Sequence, residues 1–182
     1  MILDRSGSME TCRDDTIGGF NAFLREQQAE GGTLTLILFD HEYQVLYERK
    51  PIQDVAPLTS ETFVPRGSTA LLDAIGKTIK NTTSNIPTVV ILTDGQENSS
   101  HEYTKAHIKD LIDQKTRDGW TFVYLGANQD AFAEAGQLGI APEATVNYDV
   151  RRTPDAFRAL SAAMSSRASD TTQPFNFNTQ IV

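Results

Sequence analysis

Side chains with oxygen donors stand in three short segments of this 182-residue chain. They are Asp4, Ser6 and Ser8 in the spacing D-x-S-x-S, Thr69 before an apolar helical pattern, and Asp94 after an apolar run. Because Asp, Ser and Thr supply oxygen only, the set suits hard cations such as Mg²⁺, Mn²⁺ or Ca²⁺ better than Zn²⁺. The residue types therefore point to a divalent metal site, provided that the fold brings the segments together.

The balance of two carboxylates and three hydroxyls predicts a particular kind of metal ion. Mg²⁺ dehydrates reluctantly and keeps water, which fits a site with few protein carboxylates. We predict Mg²⁺ or Mn²⁺, which use the same ligands, with Ca²⁺ a weaker candidate. Two carboxylates and one divalent ion sum to zero formal charge, so a further carboxylate still meets an under-coordinated cation. At an effective dielectric near 20 and about 4 Å, that attraction is roughly 8 kcal/mol before desolvation costs.

In this order, the Asp-x-Ser-x-Ser, Thr and Thr-Asp-Gly elements resemble the metal-ion-dependent adhesion site (MIDAS) of the von Willebrand factor type A (vWA) family. The resemblance implies that Ser6, Ser8 and Thr69 bind Mg²⁺ directly and that Asp4 and Asp94 bind it directly or through water. It also implies that an Asp or Glu carboxylate of a protein partner completes the metal shell. The implied fold class is α/β, a three-layer Rossmann-like vWA fold. Its mostly parallel six-stranded sheet has the order 3-2-1-4-5-6, with strand 3 antiparallel and helices on both faces.

The resemblance covers residues 1–167 as one vWA domain and leaves residues 168–182 as a polar C-terminal tail, which we expect to be frayed or a linker. Two positions are candidates for the rim of the site. Glu97 lies three residues after Asp94, and Asn128 lies in Gly126-Ala-Asn-Gln-Asp130, after the predicted fifth strand. That last segment resembles one in prokaryotic and phage-encoded single-domain vWA proteins.

Hydrophobic periodicity predicts alternating strands and helices, which implies a parallel sheet covered on both faces. Sites in such sheets form at the carboxyl ends of strands. The glycine pair at 18–19 weakens the first predicted helix, and a close approach of its backbone to the sheet would compensate. Predicted strands cover 33–40, 43–48, 88–93, 120–125 and 145–150. Predicted helices cover 14–30, 70–81, 103–118, 129–136 and 154–167, and an irregular crossing covers 49–66.

Composition indicates one globular domain, long enough to bury roughly 70% of its unfolded surface. A net charge of −8 argues against binding nucleic acid or an anionic membrane. The single cysteine, Cys12, cannot form an internal disulfide, which favours a reducing compartment. No apolar run approaches 18 residues and no signal peptide precedes Asp4, so we expect a cytoplasmic protein. Only three residues precede Asp4, so the first strand is either short or truncated.

Each site residue also has an ordinary structural interpretation. Asp4 and the serines after it are common in turns and caps, Thr69 can cap a helix, and Asp94-Gly95 is a common turn pair. The occurrence of all three segments in the order found in the vWA family favours a metal site over these structural roles. Cys12 near the metal rim is either a reactive thiol or a small apolar filler, and the filler is the simpler interpretation.

Three classes of function remain open. The metal-dependent protein-binding module is favoured, with an adhesion or scaffold role. A Mg²⁺-dependent hydrolase that uses a metal-bound water is opposed by the lack of a His or Lys in the motifs to serve as general base. An RNA-binding vWA protein is opposed by the acidic composition and by the lack of an aromatic and basic face.

Overall fold

A computed structural model describes residues 1–84, 86–127, 130–169 and 175–177, which form one six-stranded sheet flanked by helices. The strands are β1 (Ile2–Asp4), β2 (Thr33–Phe39), β3 (Tyr43–Pro51), β4 (Thr88–Thr93), β5 (Thr121–Ala127) and β6 (Thr145–Tyr148). The helices are α1 (Arg13–Glu30), α2 (Leu71–Asn81), α3 (Lys105–Arg117), α4 (Ala131–Gln137) and α5 (Thr153–Ser169).

The strand order is β3-β2-β1-β4-β5-β6, and only β3 runs antiparallel to its neighbour. This confirms the predicted fold class and strand order. In register, Asp4 at the end of β1 lies beside Phe39 of β2, and Leu3 lies beside Leu92 of β4. Because β1, β2 and β4 are parallel, the residues that follow them meet at one edge of the sheet.

The helices pack in two pairs, α1 against α5 and α2 against α3. Phe20 and Phe23 of α1 meet Phe157 of α5 with ring centroids 6.3 and 6.2 Å apart. A Cβ on Gly19 would lie 2.5 Å from the Phe157 ring. The close approach expected at Gly18-Gly19 is therefore made at Gly19, and it is made to a helix rather than to the sheet.

The observed element boundaries differ from the predicted ones by a few residues, as turns and caps override simple periodicity. β1 has three residues, β3 continues to Pro51, and a 3₁₀ turn (Gly7–Cys12) joins the first strand to α1. Gln129, the predicted start of the fourth helix, lies outside the described residues.

Within the expected tail, α5 continues to Ser169, and residues 175–177 pack on the domain. Phe175 is buried, and the Phe177 N–H donates to the Glu143 carbonyl at 3.0 Å. None of the helices in the described part of the chain is long and apolar enough to cross a membrane.

Candidate metal centre

The fold brings the five predicted metal-site residues together at the carboxyl edge of the sheet. Asp4 ends β1, and its Oδ1 accepts the Ser6 N–H at 2.6 Å. The Ser6 and Ser8 hydroxyls lie 3.1 Å apart, and the Ser8 hydroxyl donates to Asp94 Oδ1 at 2.6 Å. Contacts therefore run without a break from the first predicted segment to the third.

The three hydroxyl oxygens surround one point beside Gly95. A Cβ built on this glycine would lie 3.1 Å from Thr69 Oγ1, 3.4 Å from Ser8 Oγ and 3.7 Å from Ser6 Oγ. Any side chain at position 95 would therefore crowd the space between the hydroxyls. The glycine of the Thr-Asp-Gly element is needed here for space, since its φ is not in the left-handed region.

Most of the site is buried, but one side is open to solvent. Asp4, Ser6 and Thr69 are buried with 0%, 1% and 3% exposure, and Asp94 is 9% exposed, whereas Ser8 is exposed. A group bound between the hydroxyls would thus be reached from the Ser8 side.

The site is acidic, and no cationic side chain of the described residues pairs with its carboxylates. The ion pairs formed among residues 1–84, 86–127, 130–169 and 175–177 involve neither Asp4 nor Asp94. Burial raises the pKa of Asp4 to about 6, and burial also raises the pKa of Asp94 above its usual range. Both shifts have the cause expected for desolvated carboxylates that lack a positive partner.

This donor set fits a hard divalent cation only if hydroxyls take part. The described residues contain no group of three or more His, Cys, Asp or Glu side chains that could hold a metal ion. Two carboxylates and three converging hydroxyls offer oxygen from five side chains, which suits an ion that keeps water among its ligands. The cradle beside Gly95 fits such an ion in shape and chemistry.

Thr93 was not predicted as a site residue, yet it contacts the buried carboxylate. Its hydroxyl donates to Asp4 Oδ2 at 2.5 Å and is within 3.1 Å of the Gly95 carbonyl. Thr93 ends β4, next to Asp94. A hydroxyl-bearing residue at the end of an otherwise apolar strand was the sequence signal for this role.

A second missed group is the network around Asp40, which follows β2 and is fully buried. Its Oδ2 accepts Nε–H bonds from Arg5 and Arg66, each at 2.9 Å. Arg5 lies between two of the predicted ligands, and Arg66 lies three residues before Thr69. The network therefore joins the two loops that carry the hydroxyls.

The loop after Asp94 is held by carboxylates near the start of α2. Glu97 accepts the Leu72 N–H at 2.9 Å and the Ser99 and Ser100 N–H groups at 2.9 and 2.7 Å. Asp73 accepts three backbone N–H groups, those of residues 101–103, each at 2.9 Å. Glu97 thus organises its own loop and the helix start.

The outcome for the other candidates is mixed. A rim role for Glu97 stays a prediction, and Asn128, the other rim candidate, lies outside the described residues. Cys12 is buried, and burial raises the pKa of its thiol to about 11, which agrees with a filler rather than a reactive thiol.

The sequence matches no protein-family model and no curated protein sequence. Its fold is shared by solved structures. The vWF domain of the type V pili tip protein Mfa5 from Porphyromonas gingivalis aligns with a TM-score of 0.68 at 12% identity, covering 91% of this chain and 94% of that one. The pilus adhesin SpaC from Lactobacillus rhamnosus GG aligns with a TM-score of 0.63 at 15% identity, covering 96% of this chain and 30% of that one.

Proximal thread matrix protein 1 (PTMP1) from the mussel byssus is a further structural neighbour, described with a zinc-occupied MIDAS motif. It aligns with a TM-score of 0.64 at 15% identity over 90% of this chain, which spans 46% of PTMP1. At these identities the likeness shows the fold alone. The chain therefore has the fold of vWA-type domains, whose solved examples include adhesion and matrix proteins.

Proposed function

We propose that this chain is a metal-dependent protein-binding module, with an adhesion or scaffold role, that holds a divalent cation and captures an acidic residue of a protein partner. One observation carries the proposal. The hydroxyls of Ser6, Ser8 and Thr69 converge within 3.7 Å of one point. The carboxylates of Asp4 and Asp94, which accept hydrogen bonds from Ser6 and Ser8, have no ion-pair partner among the described residues. Such a set lacks positive charge, and a hard cation supplies it.

The ligand roles follow from the contacts. Ser6, Ser8 and Thr69 would bind the ion directly, and Asp4 and Asp94 would bind it directly or through water. Mg²⁺ or Mn²⁺ is the proposed ion because every donor is oxygen. The zinc reported in the PTMP1 motif supports a divalent cation on this fold, although Zn²⁺ ordinarily favours nitrogen and sulfur ligands.

The proposed partner offers an Asp or Glu side chain on the open side of the site. Ser8 is exposed there, whereas the other donors are buried or nearly so. Two carboxylates neutralise a divalent ion, so the site as a whole does not repel an incoming carboxylate, which can take an open position on the ion. The solved neighbours include a pilus tip protein, a pilus adhesin and a matrix protein, which favours protein binding over catalysis. A cytoplasmic location and the lack of a nucleic-acid partner stay predictions.

Calorimetry tests the metal step. Mg²⁺, Mn²⁺, Ca²⁺ and Zn²⁺ are titrated into the wild-type protein and into Asp94→Asn. We expect one site per chain for Mg²⁺ and Mn²⁺, and a loss of binding in Asp94→Asn. Equal heats for the two proteins would contradict the proposed site.

Capture from the native lysate tests the partner step. Immobilised wild type and Thr69→Ala are compared in Mg²⁺ and in EDTA. A specific partner should remain bound to the wild type in Mg²⁺ and be released by EDTA. A partner held equally by both proteins, or equally without metal, would contradict metal-dependent capture. For a partner that EDTA releases, replacing the partner's acidic residues one at a time should identify the carboxylate that binds the metal.

A further inference from the structure

We infer that Asp40, Arg5 and Arg66 are positioning residues of the metal site: one buried carboxylate clamps the two hydroxyl-bearing loops together before any metal binds. The inference rests on the proposed function, because it assigns the residues that keep the proposed site assembled. None of these three residues belongs to the proposed set of metal ligands.

Asp40 contacts the Thr69 loop on both sides of Thr69. Its carboxylate accepts the Arg66 Nε–H at 2.9 Å, and its backbone carbonyl accepts the Ala70 N–H at 2.9 Å. Thr69 is thus held between two bonds to a single residue at the end of β2. A hydroxyl held in this way has little freedom to move away from the site.

The same carboxylate holds the first loop. Arg5 is 6% exposed, and its Nε–H donates to Asp40 Oδ2 at 2.9 Å while its Nη1 donates to Gln44 at 2.5 Å. The Arg5 N–H also donates to the Phe39 carbonyl at 2.8 Å. Both the backbone and the side chain of this residue, between Asp4 and Ser6, are therefore tied to the β2–β3 hairpin.

Backbone bonds then join the two loops directly. The Arg66 N–H donates to the Arg5 carbonyl at 2.8 Å, and the Gly7 N–H donates to the Gly67 carbonyl at 3.1 Å. Gly67 has φ +68°, and a Cβ there would lie 2.2 Å from the His41 ring. The loops therefore meet along a tight contact whose glycine cannot be replaced without displacing His41.

The charge arrangement also indicates a positioning role. Two arginines converge on one oxygen of a fully buried carboxylate, and the other oxygen accepts the Glu42 N–H at 2.6 Å. Burying these charges is costly, so the network gives little net stability compared with an apolar replacement. It does fix geometry, because a guanidinium bonds in a planar fork. Partners that orient metal ligands typically account for about 10–100-fold in affinity.

The test uses Arg66, because its side chain is 46% exposed and its loss should not unfold the protein. Mn²⁺ affinity is measured by calorimetry for the wild type and Arg66→Gln, and the melting temperature is measured in EDTA. We expect the dissociation constant to rise about tenfold or more. The metal-free melting temperature should change by no more than about 4 °C.

Two comparison variants make the result specific. Arg158→Gln removes an exposed ion pair with Asp155 on α5 and should leave the Mn²⁺ affinity unchanged. Arg66→Lys keeps the charge but lacks the fork, and should show most of the loss seen in Arg66→Gln. Amide hydrogen exchange in EDTA should be faster than in wild type at Gly7 and Ala70 in both Arg66 variants, and unchanged in Arg158→Gln.

The outcomes separate this inference from the proposed function. If the wild type binds no Mn²⁺, the proposed function fails and the positioning role fails with it. If the wild type binds Mn²⁺ and Arg66→Gln binds it equally well, only the positioning role is overturned. Full recovery in Arg66→Lys, or an affinity loss matched by a general fall in melting temperature, would also overturn it.

Discussion

Two buried carboxylates at the ends of neighbouring strands are treated in opposite ways by this chain. Asp40, after β2, is fully buried and is paired with Arg5 and Arg66. Asp4, at the end of β1, is equally buried, but its contacts are the Ser6 N–H and the Thr93 hydroxyl. Burial raises the pKa of Asp4 to about 6. The described residues supply a positive charge to Asp40 and none to Asp4, where we propose that a metal ion from solution supplies it.

The difference favours a structural role for Asp40 and supports the proposed metal-ligand role for Asp4 without reference to any relative. A buried ion pair fixes the position of a loop, whereas a buried carboxylate without a cation costs stability unless something binds it. The two carboxylates lie at the ends of neighbouring strands. Asp40, which is paired with arginines, can therefore hold in place the loops that carry the proposed metal ligands around Asp4.

The largest effect is expected from removing the two charges separately. Asp40→Asn leaves the buried Arg5 without its anion, and we expect a loss of about 3–5 kcal/mol in the free energy of unfolding. Asp4→Asn removes a buried charge that has no cation among the described residues, so in EDTA at pH 7.5 the variant should be no less stable than wild type, and more stable by up to about 3 kcal/mol. Urea unfolding of both variants measures this contrast. Equal losses would show that the two carboxylates are alike after all.

Metal binding should stabilise the folded protein. With free Mg²⁺ at about 100 times its dissociation constant, we expect about 2.7 kcal/mol, or roughly 5–10 °C in melting temperature. Thr69→Ala should fold and lose this response, because Thr69 lies in a loop and not in the core of the sheet. Thr104→Ala, which removes the N-cap of α3, is the matched control and should keep the response. Unfolding of Thr69→Ala would instead make Thr69 a structural residue.

The pH dependence of metal-free stability should report Asp4. Its folded pKa is about 6 and its unfolded pKa is near 3.8, so the folded protein holds a proton that the unfolded chain releases. The contribution of Asp4 to the free energy of unfolding in EDTA should therefore be fully present below pH 4. It should be lost as the pH rises through 6, which lowers the free energy of unfolding by up to about 3 kcal/mol.

The matched variant for that experiment is Asp4→Asn, which cannot titrate. The difference in stability between wild type and Asp4→Asn should change sharply between pH 4 and 6 and stay flat at higher pH. Saturating Mg²⁺ should abolish the fall in the wild type, because the metal binds the deprotonated form. A wild-type profile parallel to that of Asp4→Asn would contradict an unpaired, buried Asp4.

Much of the fold was predictable from the sequence. The apolar, β-branched run at 88–93 indicated a buried strand, and the aspartates at the end of β1 and directly after β4 were expected at the same edge of a parallel sheet. The strand order, in contrast, came from the family resemblance. Periodicity gives the elements but does not say which strands are neighbours.

The network around Asp40 was missed for a physical reason. Arg5, Asp40 and Arg66 are separated by 35 and 26 residues, and no short motif links them. Asp40 follows a strand just as Asp94 does, so its position carried the same signal. Only the folded contacts show that its partners are arginines rather than hydroxyls.

The smallest effect is expected at Glu97, where a structural role and a rim role give different results. Its carboxylate accepts four hydrogen bonds, from the Leu72, Ser99 and Ser100 N–H groups and the Ser100 hydroxyl. A glutamine at this position accepts with one oxygen only, so Glu97→Gln should lose about 1–2 kcal/mol in the free energy of unfolding. The Mn²⁺ dissociation constant should rise by less than the roughly tenfold that an orienting partner costs. Glu102→Gln, which breaks an exposed ion pair with Lys77, is the control and should change neither quantity measurably. Because every oxygen of Glu97 is already used by its own loop and by α2, a large loss of affinity at unchanged stability would mean that its carboxylate turns toward the metal when the ion binds.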